Sequence, residues 1–107
     1  MKQMKRQRVY YKGTRFWVKY SIDGITHRRF LLLAETYEEN MVFQVIEERG
    51  YDTGLIRGYI PKEFDDAMFV TYSHLNRMAC KYIFPNISKL WILNCGHNER
   101  REVAENK

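Results

Sequence analysis

The chain has 107 residues, 45% of them hydrophobic and 15% aromatic, which suits one domain with a modest core and excludes wholesale disorder. No apolar run approaches the roughly 20 residues that span a bilayer, and two cysteines, Cys80 and Cys95, are too few for a disulfide framework. The net charge of +5 is uneven: residues 1–29 hold nine Lys/Arg against one acid, residues 30–66 three against nine, and residues 67–107 six against three.

That polarity predicts one face for polyanions and another that repels them. The alternative is mutual neutralisation, within one chain or head to tail in a homodimer. The N-terminus, MKQMKRQRVYYKG, is basic but lacks the apolar stretch of a signal peptide, so a soluble, cytoplasmic protein is expected.

Residues 1–8, with Lys2, Lys5, Arg6 and Arg8, read as a basic arm leading into a first strand at 8–11. Lys12 and Gly13 mark a turn. The stretch RFWVKYSIDGITHRRFLLL, residues 15–33, reads as a two-stranded hairpin around Asp23 and Gly24, the pair that a two-residue type I′ loop favours. Phe16, Val18, Tyr20 and Ile22 alternate with Arg15, Trp17, Lys19 and Ser21. The two-residue loop sets Ile22 opposite Ile25, Lys19 opposite Arg28 and Trp17 opposite Phe30. Lys19 facing Arg28 is a like-charge cross-strand pair, which costs stability unless an anion lies over it. The run Leu31, Leu32, Leu33 places the third strand at the sheet's centre or its junction with a helix.

Thr36 and Glu39 match a capping box, so the pattern predicts a helix ending at Gly50, with Met41, Val42, Val45 and Ile46 as its apolar stripe. That stripe would cover the Phe16, Val18, Tyr20 and Ile22 face. Beyond Gly50 a loop with one short strand at 55–60 is expected, then a helical turn at 61–66 and a helix over 73–83 with Leu75, Met78, Ala79 and Tyr82 on one side. ISKLWIL, residues 87–93, reads as a strand or a short helix, and residues 98–107 as a frayed tail. The expected architecture is a single α+β domain over 1–107: a basic arm, a three-stranded antiparallel meander packed on one helix (8–50), and a smaller C-terminal α/β extension (51–97).

Across residues 8–50, YYKGTRFWVKYSIDGITHRRF followed by TYEENMVFQVIEERG resembles the AP2-like, integrase arm-type DNA-binding modules of phage-type integrases and homing endonucleases. The resemblance implies a three-stranded sheet set in the major groove, with contacts from Arg15, Trp17, Lys19 and Arg28 and from the arm residues Arg6 and Arg8. It also implies DNA rather than RNA, whereas residues 51–107 have no counterpart in such a module.

Read from the residues themselves, the N-terminal third carries the cations and flat rings that nucleic-acid binding uses. The candidate contact set is Lys5, Arg6, Arg8, Lys12, Arg15, Trp17, Lys19, Arg28 and Arg29. The bland alternative is a solvated basic face with Trp17 and Phe30 packed together beneath a loop. A second functional reading is a small accessory or inhibitory protein, of the kind phages and mobile elements encode, that docks its basic patch on an acidic host-protein surface. Cys95 and His97 form a C-x-H, but His74 and Cys80 fall on different helix faces and the spacing fits no standard zinc pattern, so no metal and no cofactor is expected, and Cys80 reads as a core residue. Ser73 and His74 diverge on a helix, His27 falls opposite Tyr20 as a packed ring, and there is no Walker loop and no G-x-G-x-x-G; no catalytic residues are assigned and a non-enzymatic protein is expected.

Overall fold

The computed structural model describes residues 8–95. In chain order its elements are β1 (Val9–Tyr10), β2 (Arg15–Ile22), β3 (Ile25–Glu35), β4 (Met41–Glu47), β5 (Ile56–Pro61), β6 (Val70–Thr71), α1 (Tyr72–Tyr82) and β7 (Ile87–Asn94). Five strands form one antiparallel sheet in the order β5, β4, β3, β2, β7, while β1 pairs with β6 in a separate two-stranded sheet. The expected three-stranded meander on one helix is therefore corrected: the protein is mostly β, its first strand leaves the meander, and two further strands flank the hairpin.

The hairpin itself forms in the register its turn dictates. Asp23 and Gly24 have φ of 51° and 80°, the two positive values of a type I′ loop. Ile22 faces Ile25, Lys19 faces Arg28 and Trp17 faces Phe30. With β2 and β4 on either side, β3 is the middle strand of the sheet.

The segment expected to be a helix is β4. Its sequence, MVFQVIE, satisfies a helical stripe but also a period of two, with Phe43, Val45 and Glu47 on one face and Gln44 and Ile46 on the other. Val42, Phe43, Val45 and Ile46 are β-branched or aromatic, which lowers helix propensity and fits a pleated surface. The capping box proves to be a hairpin loop. Thr36 Oγ1 accepts from the N–H of Glu38 at 3.2 Å, and Asn40 takes a φ of 68°.

The core lies between one face of the sheet and α1. Phe16, Val18, Tyr20, Leu31, Leu33, Phe43, Val45, Ile60 and Leu90 are buried against Leu75, Ala79 and Phe84. Thr71 caps α1, accepting from the His74 N–H at 3.3 Å, and its own hydroxyl donates to the Glu63 carboxylate. On α1 the buried residues are His74, Leu75 and Ala79; Tyr82 and Cys80 are exposed, so Cys80 is not part of the core. Ile83, just past the helix, lies so close to β5 that a Cβ on Gly58 would stand 2.8 Å from its Cγ1, which leaves glycine as the residue that fits there. Helix α1 thus takes the covering role expected of a helix at 36–49.

Candidate nucleic-acid interface

On the opposite face of the sheet, Trp17, Lys19, Arg28, Phe30, Lys89 and Trp91 are all exposed or half-buried. Two rows run across it, perpendicular to the strands. The first is basic: Lys89 on β7 faces Lys19 on β2, which faces Arg28 on β3. The second is aromatic: Trp91 faces Trp17, which faces Phe30. Within each strand the rows are two residues apart, hence about 6.6 Å.

Side chains at the start of β7 add to its backbone ladder with β2. Asn86 Nδ2 donates to the Ser21 carbonyl and Ser88 Oγ to the Lys19 carbonyl, both at 3.3 Å, tying the strand's first turn to β2. Register shifts occur on either side of the run from Lys89 to Ile92. The in-register window between these irregularities is the part that presents Lys89 and Trp91 beside Lys19 and Trp17.

The rings touch one another and the cations lie near them. Trp17 and Trp91 have centroids 4.2 Å apart with planes inclined at 48°, and Trp17 meets Phe30 edge-on at 6.2 Å. Lys89 Nζ lies 4.6 Å from the Trp91 centroid, Arg49 Cζ lies 3.9 Å from that of Phe30, and Arg28 Cζ lies 6.0 Å from that of Trp17. Such placements offset part of the repulsion within the basic row. Among the described residues, no carboxylate lies within ion-pair distance of Lys19, Arg28 or Lys89.

The other sequence-assigned cations are dispersed. Arg15 shares the open face but is paired with Glu48 at 2.8 Å. Lys12 is paired with Glu35 at 3.3 Å. Arg29 points to the helix-facing side, where its Nε is buried and 3.4 Å from Glu47 Oε2, outside hydrogen-bond geometry. Arg57 Nε donates to the same oxygen at 2.7 Å, so the buried Glu47 holds two arginines away from the open face. Arg8 is exposed ahead of β1, and the arm residues Lys5 and Arg6 lie outside the described residues. Of the sequence-assigned set, the structure brings together Arg15, Trp17, Lys19 and Arg28. It adds Lys89, Trp91 and Arg49, which sequence reasoning missed. The alternation of Lys89 and Trp91 with Leu90 and Ile92 was a legible signal for a strand, though not for its neighbour.

Residues considered for other chemistry are engaged elsewhere. His27 stacks on Tyr20 with centroids 5.2 Å apart, and His74 Nε2 lies 2.8 Å from the Pro61 carbonyl while Ser73 faces outward. Among the described residues no three His, Cys, Asp or Glu side chains gather as a metal site would require; His97 lies outside them. Also among the described residues, no helix is long and apolar enough to cross a membrane. Set against known proteins, the chain matches no family model, no curated protein and no solved structure.

Proposed function

We propose that this protein is a non-enzymatic nucleic-acid-binding protein that uses the open face of its five-stranded sheet. The observation that carries the reading is the row of Lys89, Lys19 and Arg28 on three adjacent strands, with no carboxylate in reach among the described residues. Like charges on neighbouring strands destabilise a ladder, and a phosphate backbone laid along the row removes that cost while releasing counterions. Trp17, Trp91 and Phe30 supply the flat apolar contacts beside it.

The test is the double variant Lys19→Glu, Arg28→Glu, compared with the unaltered chain in a gel shift against DNA and RNA. Binding is expected to disappear while circular dichroism stays unchanged, and unaltered affinity would rule out this face. A second reading, docking on an acidic host protein, has its own support in the side chains of Trp91 and Leu93 on edge strand β7, 42% and 52% exposed. Salt separates the two: with three phosphates neutralised, log K should fall with log[salt] at a slope of roughly −2 to −3, whereas an apolar protein interface responds weakly.

A further inference from the structure

Resting on that reading, we infer that the nucleic acid is single-stranded, lying across the strands with phosphates on the row Lys89, Lys19, Arg28 and unpaired bases on the row Trp91, Trp17, Phe30. Two observations support this over a duplex. The first is breadth. Five strands at about 4.8 Å spacing measure some 19 Å between the outer backbones, wider than the roughly 12 Å major groove, so the sheet does not enter a groove face-on. A three-stranded sheet, at about 10 Å, would.

The second is the aromatic row itself. Bases in a duplex are stacked on one another and offer only their edges, so rings on a flat face gain little from them. Unpaired bases expose whole faces, and aromatic side chains on open sheets stack about two or three of them. The separation of the rows, about 6.6 Å, sets phosphate and base of the same nucleotide over different rows. In the free protein Lys89 and Arg49 already sit near the Trp91 and Phe30 rings. Binding exchanges partners: the cations move to phosphates, and the ring faces they leave receive bases. Deoxyribose and ribose strands share this chemistry, so both are probed.

The experiment titrates the full chain into labelled oligo(dT), oligo(U) and a mixed-sequence duplex, each about 12 nucleotides or base pairs, within the usual range for one sheet-type site. Anisotropy and tryptophan emission are followed for the unaltered chain, Trp91→Ala, Trp91→Phe and Lys19→Glu with Arg28→Glu. Trp91 is on the exposed face of an edge strand, so its truncation leaves the core intact. The expected result is tighter binding of a single strand than of duplex, quenched tryptophan emission, a loss of about 5- to 150-fold in Trp91→Ala from one base stack, and retention in Trp91→Phe. Equal binding of duplex and single strands, with Trp91→Ala unaffected and the double charge variant inactive, overturns the single-strand inference but leaves nucleic-acid binding standing. No binding of any probe overturns both.

Discussion

Lys19 sits at the centre of the basic row, opposite Arg28 on one side and Lys89 on the other. Replacing it by Gln keeps most of the aliphatic stem and removes two like-charge contacts at once. Unit charges about 5 Å apart in water repel by roughly 0.8 kcal/mol, and screening at ~0.1 M salt, where the Debye length is about 10 Å, reduces each pair to about 0.5 kcal/mol. Splaying of the long side chains lowers the total for both pairs to about 0.5–1 kcal/mol, within the span measured for cross-strand pairs. At about 4–8 °C per kcal/mol for a domain near this size, the Lys19→Gln variant should melt about 2–8 °C higher by circular dichroism. The gain should vanish in 1 M salt, where the Debye length is about 3 Å. The same variant should bind polyanions more weakly. A melting temperature unchanged or lowered at low salt, or a rise that persists in 1 M salt, would refute the claim that the row is electrostatically strained.

On the helix-facing side, Glu47→Gln removes the only carboxylate within ion-pair distance of Arg29 and one of two serving Arg57, among the described residues. Breaking a buried pair typically costs 3–5 kcal/mol; because both arginines keep some solvent contact, about 2–4 kcal/mol is expected from urea denaturation, and a loss below about 1 kcal/mol would show the pair to be inessential. Burial pushes the Tyr10 hydroxyl above its ordinary value of 10, against a smaller downward pull from Arg8. The unfolded chain therefore ionises first, so this group's stabilisation is complete below about pH 10 and is lost as the pH rises through the higher folded value. Comparing urea midpoints for the unaltered chain and Tyr10→Phe between roughly pH 9 and 11 should show a shallower alkaline decline in the variant, and parallel declines would refute it.

The hairpin was legible because its information is local: the turn pair and alternation within residues 15–33 suffice to set every cross-strand partner. Helix α1 was legible for the same reason, through a stripe that needs no distant neighbour. β4 was not. Its apolar positions fit both periods, and what decides between them is the presence of β3 on one side and β5 on the other. Thr36 and Glu39 add a helix signal of their own, since a hydroxyl that turns a loop and one that caps a helix look alike in sequence. Half of the candidate site was visible for the reason the hairpin was. Lys89 and Trp91 stayed unassigned because their partners on β2 lie some seventy residues earlier, and only the route through α1 decides that β7 closes on that edge.

The pairing of β7 with β2 has a consequence during synthesis. A growing chain displays Lys19 and Arg28 long before the ribosome has added Lys89 and Trp91. Until β7 arrives, β2 is an edge strand, and of the two rows only Lys19, Arg28, Trp17 and Phe30 have been made. Completion of both rows thus waits until most of the polypeptide exists.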